Sequence, residues 1–289
     1  MRHLIGIAAV LLASAGLLIP AGGAAAQPYD LGPLTRAQDP INPFSALVGE
    51  RRETRREHPG AGEIERYVLA TDNRALVIES QRRTARVKFL CAPGDLRLDC
   101  TLDPLSEAAE IYLLAATRGP RGDIIYKNAE GDTLLRRASY GGATVFWPGE
   151  ERGRAASRSF GDDPPLRLAF ADRETATRRA TAATALISAL AGSPIPFEIG
   201  PAPIDVIGAD SSVLADAVVR AAKAMNAVAG DATGAQILGA RIENVRFGVG
   251  PAPSVSLEKR TLRINYVPDQ DIAGRPSSRA IERFLEESL

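Results

Sequence analysis

The side chains that most catalysts use are scarce in this chain. It contains two histidines, His3 and His58, and His3 lies in an apolar leader that we expect to be removed. A serine triad needs a histidine base, yet no strained Gly-x-Ser-x-Gly turn accompanies His58. His58 precedes Pro59 in a charged segment, where we expect a solvated surface position. The residues therefore predict no catalytic group, and a lone histidine beside two paired cysteines predicts no zinc site.

The only two cysteines, Cys91 and Cys100, are predicted to form a disulfide. Each follows an alternating apolar pattern, ARVKFLC for Cys91 and LRLDCTL for Cys100, so both thiols face the apolar side of a predicted hairpin. If residues 92–95 form a regular turn, Cys100 lies opposite Val87, and a bond to Cys91 needs a wider loop or a bulge. Two lone cysteines in an exported chain usually pair. The alternative is two buried, unreactive thiols.

Acidic and arginine pairs are the remaining candidates for binding ions. Two acids are adjacent at Asp162 and Asp163, and two are separated by one residue at Asp269 and Asp271, in segments that contain Gly and Pro. The second segment resembles part of a calcium loop but lacks the third ligand and the closing Glu, so both are interpreted as turn formers. Arginines at 136–137 and 178–179 could bind anions or an envelope polysaccharide, with solvated faces as the alternative. No metal and no cofactor is predicted.

A possible binding surface lies near the middle of the chain, where a flexible glycine pair precedes aromatic side chains. Trp147, at its end, is the only tryptophan. Aromatic residues in such positions also pack in the core or at the edge of a sheet, and this alternative stays open. The residues of the possible surface are Tyr140, Gly141, Gly142, Phe146 and Trp147.

The charge balance and the missing phosphate-binding loops exclude two further classes of function. Lys and Arg number 35, and Asp and Glu also number 35, in 289 residues. Without a basic excess the chain lacks the electrostatic footprint of a nucleic-acid-binding protein, so no nucleic-acid partner is predicted. Neither a Gly-x-x-x-x-Gly-Lys loop nor a Gly-x-Gly-x-x-Gly fingerprint occurs, so no nucleotide cofactor is predicted.

Residues 1–26 have the pattern of a signal peptide, with a positive start at Arg2, an apolar run over 4–19 and three alanines at 24–26. We expect cleavage after Ala26 and a periplasmic or secreted mature protein. The apolar run is shorter than the roughly 20 residues that span a bilayer, and we predict no membrane span in the mature chain. Residues 27–62 contain several prolines and a charged block, and they are predicted as a flexible N-terminal arm.

The elements that must position these side chains fall into two halves and define an α+β fold. Residues 63–148 show short strands cut by glycine turns, which predicts an antiparallel β-rich domain, either a sandwich or a small barrel. Residues 149–165 carry Gly, Pro and mixed charge, which predicts a linker or long loop. Residues 166–289 show helical periodicity and short strands, which predicts an α+β domain with helices packed on a short antiparallel sheet.

Four blocks of the sequence carry a family resemblance: RGDIIYKN (121–128), YGGATVF (140–146), RTLRINY (260–266) and GRPSSRAI (274–281). They resemble exported alphaproteobacterial proteins of a domain-of-unknown-function family. The resemblance covers the middle and the C-terminal part of the chain, in blocks typical of turns and strands. It implies a location in the cell envelope, and it implies no activity and no functional residue.

These observations favour an exported periplasmic protein without enzymatic activity, acting as a binding or accessory protein of the cell envelope. Its expected partner is an envelope protein or a polysaccharide. The alternative is a metal-independent hydrolase that acts on envelope glycans with two carboxylates. That alternative requires two acids facing each other across a cleft at roughly 5–10 Å, which only a structure can show.

Overall fold

The computed structural model describes residues 62–72, 74–102, 109–200 and 210–289. The predicted signal peptide, nearly all of the predicted arm 27–62, and His58 lie outside the described residues. Within the described ranges every helix is too short or too polar to cross a bilayer.

Eight antiparallel strands form a closed barrel, which decides between the sandwich and the barrel predicted from the sequence. Each strand pairs with the next, and β8 pairs with β1 to close the ring. Side chains alternate along the strands, as in the first one, where Tyr67 and Leu69 are buried inside the barrel between half-buried neighbours. The strands are β1 (Glu63–Leu69), β2 (Ala75–Ser80), β3 (Thr84–Phe89), β4 (Ile111–Arg118), β5 (Ile124–Lys127), β6 (Thr133–Arg137), β7 (Ala143–Val145) and β8 (Arg154–Ser159).

The barrel has two rims, because antiparallel strands place alternate connections at opposite ends. At the rim where β1 begins and β8 ends, here called the entry rim, lie the turns 81–83, 119–123 and 138–142. The opposite rim carries the β1–β2, β3–β4, β5–β6 and β7–β8 connections. The β3–β4 connection contains the short helix α1 (Leu98–Thr101).

Strand β8 lies inside segment 149–165, where the sequence predicted only a linker or long loop. The strand is hard to recognise because its sequence RAASRS is mostly polar, and only Ala156 is buried. Gly153 precedes it, and a Cβ there would lie 2.6 Å from Thr144 Cγ2. This glycine is therefore a close-approach position that lets β8 pair with β7, and it does not mark a linker.

After the barrel, residues 160–171 run along its outer surface as an extended segment, here called the strap. Leu166 of the strap packs on Val77 of β2, together with Ile111 and Ile272. The Leu166 backbone N–H donates to the buried Glu79 carboxylate at 2.8 Å. Strand β2 is consequently buried on both faces, with the barrel core on one side and the strap on the other.

The C-terminal half contains helices and a four-stranded sheet with the order β11-β12-β10-β9. Helix α2 is capped at its start by Asp172, whose side chain accepts from Thr175 N, and at its end by Gly192, where φ is +64°. The elements are α2 (Arg173–Ala191), β9 (Phe197–Ile199), α3 (Ser212–Val228), α4 (Ala232–Arg241), β10 (Asn244–Val249), β11 (Ser254–Glu258), β12 (Thr261–Tyr266) and α5 (Ser278–Ser288).

This sheet is mixed, whereas the sequence predicted an antiparallel one. The β11–β12 pair is antiparallel, but β10 runs parallel to both β12 and β9. The chain leaves β9, passes through α3 and α4, and returns to the same end of the sheet, as a parallel pairing requires. The spacing of apolar residues in the sequence does not reveal the parallel pairing of β9 with β10, because β9 is only three residues long.

Candidate functional site

Helix α3 carries three charged side chains into an otherwise apolar core. Asp216, Arg220 and Lys223 stand at positions i, i+4 and i+7, so the helical repeat places them on one face. Arg220 is fully buried, and Asp216 is also buried. Because an unpaired buried charge is costly, this face must meet opposite charges from other elements.

Those opposite charges come from both halves of the molecule. Glu110, at the start of β4, lies with its Oε2 3.0 Å from Lys223 Nζ and 3.3 Å from Arg220 Nη1. Asp99 of α1 lies with its Oδ2 3.3 Å from Lys223 Nζ. The third donor of the Lys223 ammonium points to Tyr112 Oη of β4, at 2.9 Å.

Residues just before and at the start of α5 complete this buried ionic cluster. Arg275 donates from Nε to Asp216 Oδ2 at 2.6 Å and from Nη2 to the Ile111 carbonyl at 3.0 Å. Ser278 donates through its backbone N–H to Glu110 Oε1 at 3.0 Å. The Glu110 carboxylate therefore also lies at the N-terminus of α5, where the helix dipole favours a negative charge.

Two carboxylates of the ionic cluster, Glu110 and Asp99, have pKa values below their ordinary ones. Burial by itself raises the pKa of Glu110, but Lys223 and Arg220 outweigh burial and hold that pKa well below its usual value. Burial also raises the pKa of Asp99, and the same two cations more than offset it, so the net shift is downward. Neither group has the raised pKa that a general acid needs.

The cations of the cluster stay charged, and its phenol stays neutral. Burial opposes the charge on Lys223, yet the neighbouring Tyr112 and Glu110 raise the lysine pKa above its ordinary value. Burial opposes the charge on Arg220 as well, and Asp216 and Glu110 raise its pKa. Burial is the main cause that raises the pKa of Tyr112 to about 12. Because a nucleophilic lysine needs a lowered pKa, this cluster joins the elements and does not supply a nucleophile.

Above the cluster, a cleft of about 930 Å³ opens between the opposite rim of the barrel and helices α3 and α5. Lys223 reaches its wall with 19% of the side chain exposed. The volume is in the range of small-ligand sites. Polar groups line much of it: Arg97, Asn128, Asp132, Thr133, Glu150, Glu151, Asn226, Ser278, Arg279 and Glu282.

Ion pairs hold several of these charged side chains in place. Glu150 bonds to Arg74 at 2.7 Å and to Arg154 at 2.6 Å. Hydrogen bonding from Arg74 is the main cause that lowers the pKa of Glu150. On the other wall Arg279 lies 3.0 Å from Glu282. Since a glycosidase needs an acid with a raised pKa, the Glu150 environment does not support the hydrolase alternative.

Trp147 is part of the cleft but is packed between side chains. Its ring meets Phe89 edge to face, with centroids 4.9 Å apart. The Arg74 and Arg97 guanidinium carbons lie 4.4 and 5.0 Å from the ring centroid, and 4% of the residue is exposed. Cation–π contacts of this kind hold the indole in place, so its faces are not available for stacking with a ligand.

The structure divides the aromatic surface that the sequence suggested. Phe146 and Trp147 line the cleft at the opposite rim. Tyr140, Gly141 and Gly142 lie in the β6–β7 turn at the entry rim, at the other end of β7, and Tyr140 is 89% exposed. The five residues therefore do not form one surface.

The sulfur atoms of Cys91 and Cys100 are 1.96 Å apart, the distance of a disulfide bond. Cys100 lies in helix α1 rather than in the predicted strand. It is therefore not held opposite Val87, as it would be in a regular hairpin. A carboxylate oxygen of Asp95 lies within 4.8 Å of both sulfur atoms. The disulfide removes the thiolates a metal would need, and Asp95 already binds Arg97 at 2.8 Å.

The other predicted ion-binding residues serve as local contacts. Asp163 binds Arg66 of β1, with its Oδ2 2.9 Å from the arginine Nε, and Asp271 accepts from the backbone N–H of Leu168 in the strap. Arg136 donates from Nε to Asp123 Oδ2 at 2.8 Å, and Arg137 donates from Nη1 to Glu65 Oε2 at 2.9 Å. These contacts leave the first arginine pair little capacity to bind an anion.

Comparisons with known proteins give a family and no activity. The model of a family described as a domain of unknown function (DUF4908) matches residues 43–285. No curated protein and no solved structure matches the chain.

Proposed function

This chain belongs to the DUF4908 family, whose description assigns no activity, and we propose that it is an exported binding protein of the cell envelope. Its cleft takes a short segment of an envelope polysaccharide without cleaving it. The observation that carries this proposal is the polar cleft of about 930 Å³ whose charged walls are fixed by ion pairs.

The chemistry of the cleft fits a polyhydroxylated ligand. Carboxylate and amide oxygens accept hydrogen bonds from hydroxyl groups, while arginine and lysine donate to ring and carbonyl oxygens. The lining offers both kinds, as with Asn128 and Asn226 beside Arg279. Because the lining contains both acids and bases, a neutral polar ligand fits the cleft better than a strongly charged one.

Two features support the envelope location within this proposal. The signal-peptide pattern over residues 1–26 predicts export and cleavage after Ala26. The Cys91–Cys100 pair at disulfide distance suits an oxidising compartment. Mass measurement of the protein from a periplasmic fraction tests this part, and a mature N-terminus at Gln27 is the expected result.

The single tryptophan provides a direct binding assay, because Trp147 lies in the cleft and no other indole contributes. We expect a saturable change in tryptophan fluorescence when residues 27–289 are titrated with chitotetraose. Replacement of the exposed Ala227, which lines the cleft, by Phe fills the site and weakens binding at least about tenfold, equivalent to about 1.4 kcal/mol.

The matched control is Ala240→Phe, an exposed alanine on α4 outside the cleft, which leaves binding unchanged. Mass spectrometry of the oligosaccharide after incubation is expected to show it intact. Shortened products would favour the hydrolase alternative. Trp147 is packed between side chains, so calorimetric titration accompanies the fluorescence, and the absence of binding in both at every sugar concentration would remove the polysaccharide proposal.

A further inference from the structure

The entry rim of the barrel is a continuous surface made of turns that follow one another around the ring. The turn 81–83 packs on the end of β4, where Ala116 N donates to the Arg83 carbonyl at 2.8 Å. The turns 119–123 and 138–142 are joined by a bond from Ser139 N to Asp123 Oδ1 at 3.2 Å. Strand β8 then ends beside β1, so the rim forms one face.

This face carries arginines that are not used in folding contacts. Four of them are exposed, and none makes a side-chain hydrogen bond or an ion pair with any residue that the structure describes: Arg82, Arg83, Arg118 and Arg121. Glu63, an acid of the same rim, lies 3.7 Å from Arg158, and Asp162, three residues after the end of β8, is also exposed. Positive charge therefore predominates around the rim.

Two aromatic side chains project from the same face. Tyr140, in the β6–β7 turn, is 89% exposed, and Phe160, directly after β8, is 95% exposed. Strands β7 and β8 are neighbours, so these two rings stand on adjacent parts of the rim. Neither ring lines the cleft, and side chains this exposed suit contact with a broad, flat partner.

We infer that the entry rim docks on the surface of an anionic phospholipid bilayer. The arginines lie at the level of the lipid phosphates, and Tyr140 and Phe160 insert at the headgroup boundary, where aromatic side chains are favoured. The cleft at the opposite rim then faces away from the membrane. This surface is independent of the proposed ligand in the cleft.

Vesicle sedimentation tests the docking surface with residues 27–289 of the chain. We expect binding to phosphatidylglycerol-containing vesicles, weaker binding at high salt, and no binding to pure phosphatidylcholine vesicles. Replacing the four arginines by Gln weakens partitioning by about fivefold for each charge removed. The double variant Tyr140→Ser/Phe160→Ser reduces binding at least about tenfold by removing the inserted rings.

Two matched controls test whether an exposed ring or charge outside the entry rim also contributes to vesicle binding. Phe170→Ser removes a 69% exposed ring from the strap, and Arg152→Gln removes an exposed charge near the opposite rim; both leave vesicle binding unchanged. All changed side chains are exposed, so we expect every variant to remain folded. Thermal unfolding checks this for each variant. Equal binding by wild type and rim variants overturns the inference, as does an anionic polysaccharide binding the rim in place of vesicles.

Discussion

Asp216, Arg220 and Lys223 can occupy the core because every one of these charges meets an opposite charge from another segment. Glu110 is the acid shared by the two cations of α3 and by the start of α5. Such a cluster adds little net stability compared with apolar packing, but removal of one member leaves the others buried and uncompensated. The cluster therefore fixes how β4, α3 and α5 meet.

Replacement of Glu110 by Gln tests this role at the residue scale. The change removes one of the two carboxylates that Arg220 and Lys223 share and leaves only Asp99 between them, so we expect the free energy of unfolding to fall by about 3–5 kcal/mol. Urea denaturation followed by circular dichroism measures the difference. Glu286→Gln, at an exposed ion pair with Arg279, is the control and costs less than about 1 kcal/mol. Equal losses for the two variants would contradict a structural role for Glu110.

Stability is expected to fall in acid because of the same carboxylate. The folded chain holds the pKa of Glu110 well below the ordinary value of 4.5, whereas the unfolded chain restores it. Its stabilisation is therefore complete above about pH 4.5 and decreases as the pH falls toward the folded pKa. Asp99 acts in the same direction, while Lys223 and Arg220 stay charged throughout.

Urea midpoints measured between neutral pH and about pH 3 test this dependence. The Glu110→Gln variant should show a shallower decrease than the wild type, because it lacks the group that titrates. Parallel curves for the two proteins would show that other carboxyls cause the acid sensitivity.

The sequence could not reveal this cluster, although one of its signals was present. Charged residues at i, i+4 and i+7 in the apolar helix α3 indicate a buried polar face. Their partners Asp99 and Glu110 precede Lys223 by 124 and 113 positions. Only the three-dimensional arrangement shows that these segments meet. The disulfide was predictable, because only two cysteines exist.

At the scale of elements, the disulfide ties the short helix α1 to the segment that follows β3. Helix α1 has four residues, so it is too short to persist on its own propensity. It carries Asp99 into the ionic cluster, directly before Cys100. Cys91 ties this helix to the end of β3.

Replacement of both cysteines by Ser tests the contribution of this link. Opening a loop of this size is expected to lower the free energy of unfolding by about 2–3 kcal/mol. Urea unfolding of the variant beside the oxidised wild type measures the loss, and the reduced wild type should match the variant. A midpoint unaffected by reduction would mean that packing alone holds α1.

Element types were more predictable than their connections. Glycine turns and alternating residues identified most barrel strands, and helical periodicity after residue 166 identified the helical half. The polar strand β8 and the parallel pairing of β10 were missed, because neither leaves a local pattern. Both depend on contacts between distant segments.

At the scale of the whole molecule, the contacts that join the described residues of the barrel to those of the C-terminal half include the ionic cluster and the strap. The ionic cluster links β4 to α3 and α5, and Leu166 of the strap packs between Val77 and Ile272. Residues 57–289 accordingly form one unit. We expect this unit to unfold in a single transition.

Two optical probes can check this expectation, because they report on different halves. Fluorescence of Trp147 follows the barrel, while helical circular dichroism follows mainly α2 to α5. The two urea unfolding curves should coincide in the wild type. Arg275→Met should move the midpoints of both curves to the same lower urea concentration. Loss of the helical signal at a lower urea concentration than the fluorescence change would show that the halves unfold separately.

The fold class was predictable at this scale, but the place where the halves meet was not. Periodicity changes from strands to helices after the barrel, which is enough to predict an α+β chain. The cleft forms at the opposite rim because Lys223 and Ser278 approach the β4 end from much later in the sequence.

The barrel strands are contiguous in the sequence, so the barrel can form before the C-terminal half. Strands β1 to β8 occupy residues 63–159 without interruption by the C-terminal half, so a chain emerging from its N-terminus can close the ring first. Glu110 then stays hydrated until α3 has been synthesised. Desolvation of that carboxylate is thus deferred to a late docking step, which we expect to limit the rate of maturation.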